Sequence, residues 1–315
     1  THLLCYNYTY HLADWRLHLQ VMDNFRRGIE FLKQAWQMAF KDQDLLKPSI
    51  YSLVAGSLLT LVSLIPMGLI SFFLGDSSTG QTVIYILGAL LVFAQFTVTY
   101  VFSAMTVYLI YGYLAEGDGR MDKAWAVVKR DWWDIVSLAA ASTGVRILRS
   151  MMSGRKRNLI RDTFANLVGV FWSEATYLVL PAMVIEDINL GNGLKRAAQI
   201  MRDNLLLIGI STVGVRAVTG LIGFLLGGLG VALGVVTGIA LASVLEQSAW
   251  VIVIAVIVGI LIATPFILAA AIVGSYTGTA YHTCLYLWAR DVERAQQSGQ
   301  PEAVAAPAPL RAVLD

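Results

Sequence analysis

Three ionisable residues, Arg146, Glu174 and Arg216, lie within stretches of the chain that are otherwise apolar. A charged side chain inside a membrane-spanning helix is costly, and it usually faces a charge partner, a substrate or a proton path. Glu174 and Arg216 each lie near the middle of an apolar run, whereas Arg146 is closer to one end and can extend toward the membrane surface. We therefore predict an ion pair between Glu174 and Arg216. It has two interpretations: a polar locus on a solute or proton path, or a buried contact that holds helices in register.

The sequence does not assemble a catalytic or metal site around these charges. His282 lies among apolar and hydroxyl-bearing residues with no second ligand close by in sequence, so we interpret it as a hydrogen-bonded structural histidine. The two cysteines, Cys5 and Cys284, are too few for a disulfide framework or a thiolate metal site. The sequence also lacks the motifs of phosphate-binding loops, nucleophile elbows and zinc proteases. We accordingly predict no enzymatic activity, no cofactor and no metal.

The composition indicates a membrane protein. Of the 315 residues, 57% are hydrophobic and 14% are charged, whereas soluble domains carry about 25% charged residues. Several uncharged runs exceed the roughly 18 residues that suffice to cross a bilayer. A net charge of +2 is too small to favour a nucleic-acid partner, so the lipid bilayer is the partner that the composition predicts.

Six apolar runs predict an all-α integral membrane bundle. They lie at about 49–74, 83–115, 133–150, 163–185, from 205 onward, and 249–289. The fifth run leads into the glycine-rich stretch 220–245, which fits either a membrane-embedded loop or an additional helix. An additional crossing would move the C-terminus to the other side of the membrane.

A basic, mostly tryptophan-bearing sequence pattern occurs three times in the chain and indicates an internal repeat. When Ala124-Trp125 is aligned with Ala35-Trp36, Arg130-Asp131 falls on Lys41-Asp42 without a gap. A similar alignment places Arg202-Asp203 on Arg130-Asp131. Self-similarity on this scale indicates duplicated units that share a core. We therefore predict three pseudo-repeated hairpins of spanning helices, each preceded by a short amphipathic helix, at about 25–117, 119–189 and 191–294.

Each predicted copy opens with basic and tryptophan residues that suit a membrane surface. Lysine and arginine are enriched on the cytoplasmic side, and tryptophan lies at the boundary between lipid and water. We interpret the short helices as interfacial anchors, with a contact to anionic lipids as a secondary role. The anchors are Trp36, Trp125, Lys129, Arg130, Lys195 and Arg202.

The basic hairpin 153–161 conflicts with the simplest topology. With cytoplasmic anchors, six crossings place both termini in the cytoplasm and this hairpin outside, against the usual excess of positive charge in cytoplasmic loops. Either the third and fourth helices form a re-entrant hairpin, or the flanking basic helices dominate the orientation. The repeat favours the second explanation, because equivalent copies should cross equivalently.

The two ends of the chain differ from the membrane domain, which we place at 22–294. Residues 1–21 contain neither an initiating methionine nor a signal-peptide pattern, and we expect a non-native or disordered leader. Residues 295–315 are rich in alanine, proline and glutamine, which predicts a disordered tail.

Two long segments and a glycine-rich stretch carry a resemblance to a known family. "FRRGIEFLKQAWQMAFKDQDLLKPSIYSLVAG", "FWSEATYLVLPAMVIEDINLGNGLKRAAQIMRDN" and the glycine-rich stretch after it resemble an uncharacterised family of prokaryotic six-span membrane proteins, domain-of-unknown-function family 6159. The resemblance covers about residues 22–291. It implies placement in the prokaryotic plasma membrane as a multi-pass protein, and it implies no activity, substrate or site residue.

Two classes of function fit these observations. Gly230, Gly234 and Gly238 keep a small-xxx-small spacing that lets helices approach closely, which is typical of a membrane scaffold or partner-binding protein that forms homo-oligomers. Alternatively, a polar locus at Glu174 and Arg216 is typical of a small-solute or ion transporter or channel, because transporter sites lie near the midplane at broken helices.

Overall fold

The computed structural model describes residues 25–75, 77–152, 159–203, 205–244, 248–299 and 304–314. Within these ranges the chain is helical apart from short connections, and no strand is present. The all-α prediction is therefore confirmed. The helices are α1 (25–41), α2 (Lys47–Leu74), α3 (Ser78–Glu116), α4 (Met121–Arg130), α5 (Trp132–Met152), α6 (Leu159–Glu186), α7 (Leu190–Asp203), α8 (Leu205–Val244), α9 (Ala249–Gln297) and α10 (Ala308–Leu314).

Six helical segments of the described chain are long and apolar enough to cross a membrane, as the sequence predicts. They are Gln43–Leu74, Ser78–Glu116, Trp132–Met152, Arg161–Glu186, Gly214–Ser243 and Trp250–Gln297. A crossing needs about 20 residues, whereas α3 has 39 residues and α9 has 49. These two helices are therefore much longer than a single crossing requires.

The glycine-rich stretch forms part of one helix. α8 continues without a break from Leu205 to Val244, so residues 220–244 form neither a loop nor a separate helix. A continuous helix satisfies its backbone hydrogen bonds internally, which a segment in lipid requires. Its glycines allow close packing on α9, because Gly234 of α8 faces Gly259 of α9, where an added Cβ atom would lie 2.8 Å from the Gly234 carbonyl oxygen.

The chain divides into two compact units. The first comprises the described residues of Thr1–Met38, Leu206–Tyr281 and Ala305–Asp315, and the second comprises those of Ala39–Leu205 and His282–Val304. The first unit therefore contains most of α1 and α8, the beginning of α9, and α10. The second contains α2 to α7 and the end of α9.

In the first unit, α1 packs on α8 and α9 through close backbone approach and aromatic contacts. The indole nitrogen of Trp36 donates to the Thr277 hydroxyl at 3.2 Å, and the Tyr276 hydroxyl donates to the carbonyl oxygen of Ala35 at 3.0 Å. A Cβ atom at Gly28 would lie 2.6 Å from the Gly214 carbonyl oxygen. Trp36, which the sequence predicts as an interfacial anchor, thus makes a hydrogen bond inside this unit.

In the second unit, polar contacts hold the apolar helices together. The Gln95 side chain of α3 donates to the Gly56 carbonyl oxygen at 2.8 Å and to the Thr60 hydroxyl at 2.7 Å. These contacts join α2 and α3. At the helix ends, Arg196 of α7 forms ion pairs with Glu186 at 3.5 Å and with Glu293 at 2.5 Å. The hydrogen bond with Glu293 raises the pKa of the Arg196 guanidinium above its ordinary value.

The structure describes part of the C-terminal range 295–315 but not the N-terminal residues 1–21. Residues 1–21 lie outside the described residues, as does most of the basic hairpin at 153–158. In the range 295–315, the structure differs from the predicted disordered tail, because α9 continues to Gln297 and residues 308–314 form α10. The side chain of Leu310 is fully buried, and this burial gives α10 an apolar contact that composition alone does not reveal.

Candidate functional site

A cavity of about 570 Å³ lies between α3, α5 and α6 in the second unit. Unlike the surrounding helix surfaces, it is lined by arginine, hydroxyl and aromatic side chains. α5 contributes Ser142, Val145, Arg146, Arg149 and Ser150, α6 contributes Gly169, Trp172, Ser173 and Thr176, and α3 contributes Phe96 and Tyr100. None of these lining residues is acidic.

Helical periodicity explains why these residues share one cavity. Side chains three, four and seven positions apart lie on the same face of a helix. The α5 residues begin at Ser142 and recur at Arg146 and Arg149, and the α6 residues recur with the same spacing. The two polar faces therefore oppose each other along the length of the cavity.

The inner end of the cavity is a hydrogen-bonded cluster centred on Ser142. The Ser142 hydroxyl accepts a hydrogen bond from the indole nitrogen of Trp172 at 2.9 Å, and it lies 2.7 Å from the Tyr100 hydroxyl. Ser142 is 1% exposed. Because buried polar groups that are fully hydrogen-bonded hold their neighbours in fixed positions, this cluster joins α3, α5 and α6 at one level.

The other end of the cavity carries its positive charge. One guanidinium nitrogen of Arg149 donates to the Asn166 side-chain oxygen at 2.6 Å. The guanidinium lies against α6 where Gly169 has no side chain, since a Cβ atom there would come within 2.6 Å of it. Arg146 is exposed, and among the described residues it has no hydrogen-bond or ion-pair partner.

The position of the charges along α5 places them far from the interfacial helices. At 1.5 Å per residue, Ser142 lies about 15 Å and Arg149 about 25 Å along the axis from Trp132. The hydrocarbon core of a bilayer is about 30 Å thick. If Trp132 marks one membrane surface, Ser142 lies near the midplane and Arg149 near the opposite surface.

Glu174 lies one residue beyond Ser173, but its carboxylate takes part in a different contact. Its Oε2 atom lies 3.1 Å from Nε2 of His282, and the two side chains are 12% and 4% exposed. The ring of Tyr177 stacks on the imidazole with 4.4 Å between centroids. Glu174 and His282 therefore join α6 to the end of α9.

The three sequence-predicted polar residues belong to three different helices. Arg146 lines the cavity, Glu174 contacts His282, and Arg216 is an exposed residue of α8 in the first unit. The ion pair between Glu174 and Arg216 stays a prediction. Sequence reasoning missed the contact between Glu174 and His282, which a search for partners of a buried histidine could have suggested, because buried polar groups are almost always hydrogen-bonded.

The helices α4 and α7, which carry predicted interfacial anchors, each have a buried face and an exposed face. Ala124, Val127 and Val128 of α4 are buried, whereas Trp125 is 42% exposed. Arg130 forms ion pairs with Asp131 at 2.7 Å and with Asp187 at 3.1 Å. The side chains of Lys129, Lys195 and Arg202 are exposed.

A second cavity, of about 550 Å³, lies between α8 and α9 in the first unit. Its lining consists of aliphatic side chains and glycines, with Thr264 as the single hydroxyl-bearing residue. Since such a surface has almost no hydrogen-bonding groups, it has no means of recognising a polar solute.

The sequence profile of one family matches residues 78–295, a range that includes every residue lining the polar cavity. That family is described as a family of unknown function, DUF6159. None of the curated proteins matches the chain.

Proposed function

The chain belongs to DUF6159, and from this premise we propose that it is a multi-pass protein of the prokaryotic plasma membrane that binds a small solute in the polar cavity between α3, α5 and α6. The observation that carries the proposal is the lining itself. Two arginines and a group of hydroxyl-bearing side chains face one cavity of about 570 Å³ among apolar helices. This volume lies within the range of about 300–1,000 Å³ that is usual for small-molecule sites.

A cavity of this kind favours a solute-binding or transporting protein over a pure scaffold. A scaffold needs no polar lining inside its bundle, and polar groups in lipid are costly unless they have partners. Moreover, the glycines at 230, 234 and 238 face α9 within the first unit, where added Cβ atoms would meet Phe266, Gly259 and Ala255. These glycines therefore serve internal packing.

A homo-oligomer remains a second candidate because another glycine pair faces open space. Gly223 and Gly227 are four residues apart on α8, and a Cβ atom at either would meet nothing within 4 Å. Such spacing suits close contact between helices of two copies. We propose that any self-association in the membrane uses this face rather than the glycines that face α9.

The repeat and its topology are also part of the proposal. At each of two junctions between the predicted copies, a carboxylate accepts a hydrogen bond from a backbone nitrogen at or next to the start of the following copy. Asp42 accepts from Gly119 at 2.7 Å, and Asp134 accepts from Leu190 at 2.9 Å. The repeat alignment places Asp131, not Asp134, on Asp42, so these bonds support contact between consecutive copies but not their equivalence. The three hairpins with cytoplasmic interfacial helices, both termini in the cytoplasm and anionic lipids at the basic anchors are proposed from the distribution of basic residues and tryptophans.

We further propose that the cavity binds without catalysis. Its lining lacks histidine, cysteine and carboxylate side chains, which are the groups that most often act as general acids, bases or nucleophiles. Arginine and hydroxyl groups serve recognition better than proton transfer at neutral pH.

Labelling of a cavity cysteine tests the proposed function. Ser173→Cys places a thiol in the lining, and Phe171→Cys on the same helix is the matched control, because Phe171 is 57% exposed and outside the lining. Both are made in a Cys5→Ser background that retains the buried Cys284 as an internal blank. We expect a membrane-impermeant maleimide to label the Ser173 variant in proteoliposomes much faster than the control. Equal rates would contradict a water-accessible cavity.

A further inference from the structure

Resting on the proposed solute-binding cavity, we propose that its ligand is a phosphate-type oxyanion carrying an apolar substituent, held by the guanidinium groups of Arg146 and Arg149. The same chemistry is found in a phospholipid headgroup and in a water-soluble phosphate ester, and the experiment below separates the two sources.

The charge balance of the cavity favours an anionic ligand. Arg146 and Arg149 bring two positive charges to a lining that contains no acidic residue. Asn166, which accepts a hydrogen bond from Arg149, is neutral, and Arg146 has no partner among the residues that the structure describes. A positive charge in a membrane-spanning helix is stable only with a counter-charge or hydration. An anionic ligand provides both charge compensation and hydrogen-bond acceptors.

The arrangement of donors suits a phosphate. Arg146 and Arg149 are three residues apart, so their side chains leave α5 from the same face. A guanidinium group binds phosphate through two parallel hydrogen bonds, which a lysine ammonium group does not do. Because Asn166 occupies one nitrogen of Arg149, the rest of that guanidinium stays available for a ligand. The hydroxyl groups of Ser150 and Ser173 line the same cavity.

Gly169 is a positioning residue for this site. The Arg149 guanidinium lies where a side chain on Gly169 would be, with 2.6 Å between an added Cβ atom and the nearest guanidinium nitrogen. An alanine at this position would displace the guanidinium from its contact with α6. Gly169→Ala would therefore weaken anion binding, although the substitution removes no charge.

The apolar part of the lining accounts for the substituent. Phe96, Val145 and Trp172 line the same cavity as the arginines, and the volume of about 570 Å³ is in the range of sites for organic ligands rather than single inorganic ions. A phosphate ester places its charge at the arginines and its carbon chain against these side chains. Inorganic phosphate then serves as a minimal probe of the anion-binding end.

The experiment measures binding of radiolabelled inorganic phosphate to the full chain in dodecyl maltoside, a detergent that contains no phosphate. Arg146→Gln and Arg149→Gln each remove one charge-assisted contact, and we expect each to weaken binding by about tenfold or more. Arg161→Gln is the matched control, because Arg161 is an exposed arginine of α6 outside the lining. Arg146→Lys keeps the positive charge but cannot form two parallel hydrogen bonds to one phosphate. Its phosphate affinity should lie between those of wild type and Arg146→Gln.

Competition identifies the source of the phosphate. Displacement by short-chain phosphatidylglycerol at lower concentration than by glycerol phosphate assigns the site to a lipid headgroup, and the reverse order assigns it to a soluble ester. Thermal unfolding of each variant in the same detergent establishes that it is folded. Gly169→Ala should weaken phosphate binding at unchanged melting temperature.

Two results would overturn the inference. One is the absence of saturable phosphate binding, and the other is equal affinity of the Arg146→Gln and Arg161→Gln variants. Either result together with rapid labelling of Ser173→Cys leaves a water-accessible cavity for a different solute, so the proposed function survives. Phosphate binding without any labelling would instead contradict the water-accessible cavity and leave the anion site in place.

Discussion

The Oε2 atom of Glu174 lies 3.1 Å from Nε2 of His282, although the two residues are 108 positions apart in the chain. Both side chains are nearly buried. Tyr177, which lies on the same helix as Glu174, stacks on the imidazole of His282. The contact therefore joins α6 to the end of α9 through a hydrogen bond between two nearly buried polar groups.

Removal of either partner should destabilise the protein. We expect Glu174→Ala and His282→Ala each to lower the free energy of unfolding by about 1–3 kcal/mol, because each leaves the other polar group buried without this hydrogen bond. Thermal and denaturant unfolding in detergent measure the effect. Glu116→Ala is the control, since the Glu116 side chain is 59% exposed and pairs with Lys123 at the surface, where such pairs contribute little.

The double variant decides whether the two residues interact directly. If they do, the effects of the single changes will not add, and the coupling energy will be about 0.5 kcal/mol or more. Additivity within about 0.3 kcal/mol would show that each residue acts through other neighbours.

Ser142→Ala should weaken the hydrogen-bonded cluster at the inner end of the cavity. The change removes the acceptor of the Trp172 indole and the partner of the Tyr100 hydroxyl, so we expect a loss of about 1–3 kcal/mol. Ser150→Ala, on the same helix but exposed, should alter stability by less than about 0.5 kcal/mol. The melting temperatures of both variants in one detergent are the measurement, and equal melting temperatures would contradict the cluster.

Gly259→Ala should separate α8 from α9, whereas Gly223→Ala should not. A Cβ atom at Gly259 would meet the backbone of Gly234 at 2.8 Å, and because the backbone cannot turn aside as a side chain does, we expect a cost of about 1–3 kcal/mol. At Gly223 the added methyl meets nothing within 4 Å, so in monomeric, detergent-solubilised protein we expect the free energy of unfolding to change by less than about 0.5 kcal/mol. Unfolding followed by tryptophan fluorescence compares the two, and the opposite order would refute the packing.

The sequence predicted the membrane class and the six long apolar helices, and it singled out Arg146 as an isolated charge, because hydropathy and isolated charges are local properties of the chain. It did not predict the contact of Glu174 with His282, since two polar residues on distant helices become partners only through the packing of the whole bundle. It also left open whether the glycine-rich part of α8 is a loop or an additional helix. Glycine weakens a helix in water, but in lipid the need to satisfy every backbone hydrogen bond outweighs that preference.

The roles of Ser142 and Gly169 could not be predicted from the sequence. Serine and glycine are common in apolar helices, and neither stands out until Trp172 and Arg149 are seen beside them. The proposed anion-binding end of the cavity depends on such small residues as much as on its two arginines, of which the sequence singled out only Arg146.

The length of α9 bears on the kind of bilayer that suits the protein. A helix of 49 residues measures about 73 Å, more than twice the hydrocarbon thickness, and its first 41 residues, 249–289, contain no aspartate, glutamate, lysine or arginine. Such a mismatch is met by steep tilting, by bending at Pro265 or by local thickening of the lipid. Residues 276–289 of this stretch are mostly buried within the protein, so the part that can face lipid, 249–275, measures about 40 Å. Phospholipids with longer acyl chains, which cover more of this length, should therefore gather around the protein in preference to shorter ones.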